Sequence, residues 1–403
     1  MGTLSATRTV KVLLTLVVMV MGLCLEAGER RVFRGDLGGK PVLLELSEHH
    51  KKWEGRYCYE QHGVDIPLKG TLEQLQEPAP TRPDAPSPAP AAIWKGSLLN
   101  KRYSGTWHGK RSLVFRLDEI ARYDPDRVKP DSVQATTEAI TPGIGLGIAY
   151  DAEISLANTP YDYLKLTSHL EEGPEESRGS LALRWVKETR TRIAYPRLSR
   201  HPRSGAATAA NRILEQHHFR LVLGALGCAA TVYDLEPSSA AGGFGGFSEE
   251  LIAVPYLSAD LMCVVESGST FCGGAHPDNH FEPYTLDLRK GGYLDWNRLF
   301  KNRRIDRKTG RPAWQGQLIA RLGRRKAPVD ADSVDCRSQL PNYLALQFEH
   351  DRRLQLCISG IGHAGGCCLG VEAELPLQDY RELLSKEGQR YLGVPAVVKG
   401  AER

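Results

Sequence analysis

The 403-residue sequence predicts an α+β fold: an N-terminal antiparallel β-meander, then an α+β domain with an antiparallel sheet and two or three helices. Three observations carry this reading. Between residues 33 and 120, short apolar runs recur at spacings of about 8–12 residues between glycine turns, with no helical periodicity. In the second half, helical spacing is confined to a few isolated stretches separated by strand-like runs. A composition of 41% hydrophobic and 25% charged residues is that of a globular chain, and the length suffices for two ordinary domains.

Residues 1–27 precede the first strands. Arg8 and Lys11 lead into the apolar run 12–22 (VLLTLVVMVMG), which continues to about Leu25. A membrane-spanning helix needs about 20 such residues. The basic start and short apolar run therefore read as a cleavable signal peptide ending near Ala27, with Leu23 before Cys24 arguing against a lipoprotein signal. No later segment is apolar enough to serve as a transmembrane anchor, so a periplasmic or secreted location is expected. A net charge of +4 is too small to argue for nucleic acid, and export makes that partner improbable.

Residues 28–124 form the β domain. Strands are expected at 42–46, 53–59, 64–68, 93–99, 103–107 and 112–117, with turns at Gly38-Gly39 and at 61–63. Residues 77–92 (EPAPTRPDAPSPAPAA) carry six prolines and no aromatic, the composition of a polyproline-like loop. Residues 125–149 form a linker. Its GIGLG (143–147) lacks the GxGxxG spacing and the lysine of a phosphate loop.

The second domain is expected over 150–390, followed by a tail at 391–403. Strands are expected near 152–156 and 181–186. Ser204 is placed to cap a helix over 205–223, with Ala206, Ala210, Ile213, Leu214 and Leu221 on one face. His217 and His218 on that helix read as surface or rim residues. A glycine-rich loop (238–247), strand 284–288, a turn at 290–292 and YLDW (293–296) follow. Residues 311–321 look helical; strands are expected at 344–348, 354–358 and 369–375. A last helix is expected over 377–386, with Pro376 at its start and Gly388 beyond its end.

Residues 259–288 hold the densest cluster of unusual residues. Pairing Cys263 with Cys272 sets Glu266 opposite Ser269 and leaves Ser267-Gly268 as a two-residue turn. The cysteines then occupy a non-hydrogen-bonded pair with Cα atoms about 4.5 Å apart, at the short end of the disulfide range of about 4.4–6.8 Å. A cross-strand bridge fits this register; half-buried thiols, or pairing elsewhere, remain open. In an oxidising compartment the eight cysteines Cys58, Cys228, Cys263, Cys272, Cys336, Cys357, Cys367 and Cys368 read as disulfide candidates, with connectivity not deducible from spacing. Cys367 and Cys368 are expected to bridge to different partners, and Cys58 to Cys228 is one way of locking the two domains.

Gly273, Gly274, His276, Asp278 and His280 form the candidate ligand-binding stretch. An H-x-x-x-H spacing with Asp278 or Glu282 nearby suits zinc on a helix, whereas Gly273, Gly274 and Pro277 favour a loop in which that spacing fixes no geometry. His363 beside Cys357, Cys367 and Cys368 invites the same question, and disulfides answer it better in an exported chain. No cofactor or resident metal is expected, and no nucleophile elbow is present. Residues 301–326 hold ten Lys or Arg against Asp306 alone, a patch suited to an anionic envelope surface or to solvent.

With Phe271, the Gly273–His276 run, Thr285 to Leu288, Gly291-Gly292 and Leu299-Phe300 in view, the second domain resembles an extracytoplasmic bacterial domain of unknown function. That domain is shared by the RsiV anti-sigma factor and the PdaC peptidoglycan deacetylase. Residues 195–199 (YPRLS) and Asn211 resemble its upstream half, so the likeness spans roughly 150–384. The resemblance implies an α+β domain that binds or senses at the cell wall. Only eleven residues precede the apolar run, and the deacetylase's paired-aspartate motif is missing, so neither anti-sigma activity nor deacetylation is expected. The expected function is non-catalytic binding of a cell-wall component such as peptidoglycan, or of a lysozyme-like hydrolase. The alternative is a metal-dependent envelope hydrolase using His276, Asp278 and His280.

Overall fold

The computed structural model describes residues 28–79, 89–128, 152–231, 246–247, 249–273, 276–323 and 336–394. The apolar run at 12–22, GIGLG, most of the glycine-rich loop, the prolines of 80–88 and the basic residues beyond 323 lie outside these.

The N-terminal domain is a closed eight-stranded barrel, a correction to the open meander. Its strands are β1 (Arg30–Leu37), β2 (Lys40–His49), β3 (Lys52–Tyr59), β4 (Ile66–Thr71), β5 (Gln74–Glu77), β6 (Ala92–Leu99), β7 (Arg102–His108) and β8 (Ser112–Tyr123). Each pairs with the next, and β8 returns to β1 from Arg30↔Tyr123 to Leu37↔Phe115. Closure requires close strand approach: a Cβ on Gly35 would stand 2.0 Å from the Arg116 carbonyl oxygen. The interior is filled, as eight strands allow. Trp94, Tyr103 and Phe115 meet at ring separations of 4.7–4.9 Å among Phe33, Val42, Leu44 and Leu117. Glu77, expected in the proline-rich loop, instead ends β5 and turns inward. Its Oε1 accepts from Tyr57 Oη (2.8 Å), Trp94 Nε1 (2.8 Å) and Trp107 Nε1 (2.5 Å).

The outer face of this barrel carries Val32, Leu43 and Cys58 as a second apolar patch, covered by α1 (Pro160–Thr167) through the fully buried Tyr161. Around that contact Asp65 accepts from Tyr161 Oη (2.7 Å) and Lys165 Nζ (2.9 Å), while Arg56 reaches Glu45, Asp65 and Asp162. Arg190 donates to the carbonyls of Glu60 and Lys165. The two domains are thus joined by a half-buried polar network and not by a Cys58–Cys228 bridge. Cys58 lies beneath Tyr161 as a thiol pushed up to about 11 by burial.

The second domain holds three antiparallel sheets. The first comprises β9 (Leu170–Arg178), β10 (Leu181–Glu188) and β11 (Ala194–Arg200), in the order β11-β10-β9. The second runs β12 (Leu251–Leu257), β13 (Leu261–Thr270), β14 (Asp278–Asp287) and β15 (Gly292–Tyr293). The third is β16 (Leu344–Glu349), β17 (Arg353–Ile358) and β18 (Gly370–Leu375). The α+β class holds, with more helices than expected. Helix α2 (Ala206–Ala230) joins the first two sheets through one core that includes Leu183, Tyr195, Leu214, Met262, Val264 and Tyr284. The short α3 (Trp296–Leu299), α4 (Ala313–Leu322), α5 (Leu340–Tyr343), α6 (Leu377–Tyr380) and α7 (Lys386–Tyr391) complete the domain, most of them packed on the third sheet.

Several local expectations are corrected. Gly205, in a left-handed conformation, is the N-cap of α2 in place of Ser204, and the helix runs on to Ala230. His217 and His218 are buried, at 2% and 0% exposure, because α2 packs against strands on two sides. Residues 152–156 form no strand beyond an isolated bridge at Ala152. The last helix is two, since Ser385 caps a fresh turn by accepting from Gly388 N (3.0 Å). Gly388 sits inside that turn, where a Cβ would be 2.2 Å from the Leu299 carbonyl oxygen. Tyr391, Leu392 and Val394 join the core, so the fold runs past 390. Among the described residues, no helix is long and apolar enough to cross a membrane.

Candidate functional site

Strand β13 is buried from Leu261 to Glu266 and does not turn at Ser267-Gly268. It continues to Thr270, pairing Cys263↔Thr285, Glu266↔Glu282, Gly268↔His280 and Thr270↔Asp278 with β14. Gly268 serves close approach and not a turn: a Cβ there would lie 2.7 Å from the Glu249 carbonyl oxygen. The reversal comes instead in the glycine- and proline-containing segment between Phe271 and Asp278, as turn chemistry favours. The Cys263–Cys272 bridge is therefore replaced. Cys272 bonds Cys228 near the end of α2, with Cα atoms 4.9 Å apart, while Cys263 is a buried thiol against Thr285 Oγ1 (3.1 Å).

This register aligns His280, Glu282, Tyr284 and Leu286 on one face of β14, because alternate strand residues share a face. With β13 and α2 they build a cluster of acids, histidines and tyrosines in the core. His217 Nδ1 lies 2.7 Å from Glu266 Oε1, and its Nε2 lies 2.6 Å from Tyr293 Oη. The Tyr195 hydroxyl donates to Glu266 and meets Tyr284 Oη at 2.7 Å. Toward the surface, His280 Nε2 sits 3.1 Å from Glu250 Oε2, with the Glu250 side chain 1% exposed and that of His280 17%.

The electrostatics follow from burial and partners. Burial alone would raise the Glu266 carboxyl; His217 and Tyr195 outweigh it and hold the group below its ordinary value. At Glu282, burial followed by the Glu266 charge outweighs the pull of His280 and pushes the carboxyl up to about 8. Burial raises Glu250 against the pull of His280. His280 is raised because Glu250 overcomes the desolvation that would lower it. Chemically this is a hydrogen-bonded clamp that ties β13 and β14 to α2. The Glu266, His217 and Tyr293 side chains of this cluster lie in the core of the domain.

Above the clamp the sequence-predicted site residues separate. His276, Asp278 and Asn279 are exposed, and His276 Nδ1 faces the Pro277 carbonyl (3.1 Å). His280 turns inward to Glu250. Gly273 adopts φ 100°, a conformation natural to glycine; Gly274 lies outside the described residues. His276, Asp278 and His280 are not brought to a common point. Among the described residues, the group of metal-capable side chains that does converge is Cys336, Cys367 and Cys368, with sulfurs within 4.8 Å of one another. Cys336 and Cys368 form a disulfide. Cys367, expected to bridge elsewhere, is an exposed thiol, and Cys357 a buried one. The 3-10 turn His363–Cys368 that carries Cys367 and Cys368 lies beside the start of β14: a Cβ on Gly366 would be 3.5 Å from Asn279 Nδ2.

Within the basic stretch, Lys301 donates to the Glu382 carbonyl and Arg321 pairs with the Glu382 carboxylate, while Arg303, Arg304, Arg307 and Lys308 are exposed. Sequence reasoning missed Tyr195, His217, Glu250, Glu266 and Tyr293. The available signal was the His-x-Glu-x-Tyr alternation at 280–284, polar groups on what is otherwise a core face. The upstream YPRLS segment forms β11, and Asn211 is held to it from both ends of its amide: Leu198 N donates to Oδ1 (2.7 Å) and Nδ2 donates to the Leu198 carbonyl (3.0 Å). No protein-family model matches the chain, and no curated protein matches it.

Proposed function

We propose that this chain is an exported protein of the bacterial envelope that binds, without catalysis, a cell-wall component or a lysozyme-like hydrolase. The loop between β13 and β14 is its docking face. One observation carries the reading: His276 in this loop and Asp278 and Asn279 at the start of β14 are exposed together, above a base tied by Cys228–Cys272 and by the Glu266–His217 clamp. A loop fixed before binding loses little conformational freedom on complex formation, which is how a small exposed surface reaches useful affinity. Export is supported by the basic, apolar N-terminus and by two disulfides, bonds that persist in oxidising compartments. The exposed arginines near Ile305 are a further surface suited to anionic partners.

The test is capture of the purified full chain on peptidoglycan sacculi and on immobilised lysozyme. Retention by one of them, weakened about tenfold by combined Asp278→Ala and Asn279→Ala replacement at unchanged melting temperature, is expected. Retention by neither overturns the proposal.

A further inference from the structure

Cys336, Cys367 and Cys368 combine a disulfide with an exposed thiol whose sulfur lies within 4.8 Å of both bonded sulfurs. We propose that these three residues form a thiol–disulfide exchange centre, in which Cys336 bonds to either of its two adjacent partners and Cys367 is the entry point for external thiols. The site lies beside the docking loop, and the inference does not depend on what docks there.

The chemistry balances without an added oxidant. The Cys367 thiolate attacks Cys336 Sγ, the Cys336–Cys367 bond forms, the Cys336–Cys368 bond breaks, and Cys368 leaves as a thiolate that takes up the proton Cys367 lost. Cys336 is the sulfur attacked, because bonding Cys367 to Cys368 would bridge consecutive residues. Their Cα atoms stand about 3.8 Å apart across a trans peptide, inside the lower limit of about 4.4 Å for an unstrained bridge. The Cα separation of 5.2 Å between Cys336 and Cys368 is in the ordinary range.

Burial gives the exchange a direction of readout. Cys368 is 2% exposed and packs in the core with Leu340 and Leu375, whereas Cys367 faces solvent. Exchange therefore moves the free thiol from the surface into the core. The 3-10 turn that carries both is short and holds Gly365-Gly366 just before them, with Leu369 N donating to the Gly366 carbonyl (3.2 Å). Because all three sulfurs already lie within 4.8 Å of one another, bringing Cys367 Sγ to Cys336 asks only for a local readjustment of this turn. The ligands suited to such a site are low-mass thiols and disulfides of the glutathione type, or a partner's cysteine, which reach Cys367 first.

The experiment incubates the folded full chain in a glutathione redox buffer, quenches with acid, alkylates, and locates the label on Cys367 or Cys368 by tandem mass spectrometry. The expected result is a mixture of Cys336–Cys367 and Cys336–Cys368 molecules, with the label split between the two positions. Cys368→Ser is expected to form Cys336–Cys367, and Cys367→Ser to hold only Cys336–Cys368 and take up no glutathione at this site. Label on Cys367 alone in the wild type after equilibration overturns the proposal. So does Cys368→Ser with Cys336 and Cys367 both open to alkylation.

Discussion

His217 Nδ1 stands 2.7 Å from Glu266 Oε1 with both side chains buried, so helix α2 and strand β13 share one proton-linked contact in the core. His217 thus bridges the Glu266 carboxylate on one ring nitrogen and the Tyr293 hydroxyl on the other. Replacing His217 by Ala strands the Glu266 charge, and breaking a buried pair in this way costs about 3–5 kcal/mol. Glu266 lies below its ordinary value in the folded chain, so the stability it contributes is present above the unfolded carboxyl range and is lost as pH falls through the folded value. Urea unfolding of His217→Ala is expected to show the full loss at pH 7 and a smaller one below about pH 4.

Glu282 behaves in the opposite sense. Its carboxyl is raised to about 8, so between its unfolded value and that point the folded chain holds a proton the unfolded chain does not. The associated stability is full below the unfolded value and disappears as pH rises through the folded one. Glu282→Gln keeps the protonated shape and is expected to match wild type at pH 5 and exceed it at pH 9, by on the order of 2 kcal/mol. Equal pH profiles for the two proteins count against this assignment.

Glu77 anchors three donors inside the barrel, from Tyr57, Trp94 and Trp107. Glu77→Ala leaves two indole N–H groups and a phenol hydroxyl without their acceptor, a loss of about 3 kcal/mol or more. Chemical denaturation followed by tryptophan emission, which senses both indoles, measures it.

These sites show what the chain discloses by pattern and what it hides. The strands at 42–46, 53–59, 93–99 and 103–107 were legible because their alternation and turn glycines are local properties. β5 was not, since four residues ending at Glu77 carry little signal beside the prolines that follow. β9 reads LEEGPEESR, a sequence that looks like a loop. It is a strand because it lies at a sheet edge, exposed, with Glu172 and Glu171 paired to Arg184 and Lys187 of β10. Barrel closure depends on the β1–β8 pairing, which no local pattern announces. At the site, the exposed loop was legible from its glycines and proline. The clamp beneath it was not, because it joins β11, α2, β13 and β15 through residues that meet only once the sheets pack. The cysteine pairing failed for a related reason: Cys272 takes a partner 44 residues away in preference to the nearby Cys263.

The measurement that bears most directly on this account is a non-reducing disulfide map of the folded chain with prior alkylation. The account predicts Cys272 joined to Cys228 and Cys336 joined within the Cys367-Cys368 pair. It also predicts that Cys58, Cys263 and Cys357 are labelled only after denaturation. Cys272 recovered with Cys263, or every cysteine recovered as a free thiol, would contradict the clasped loop and the docking face built on it.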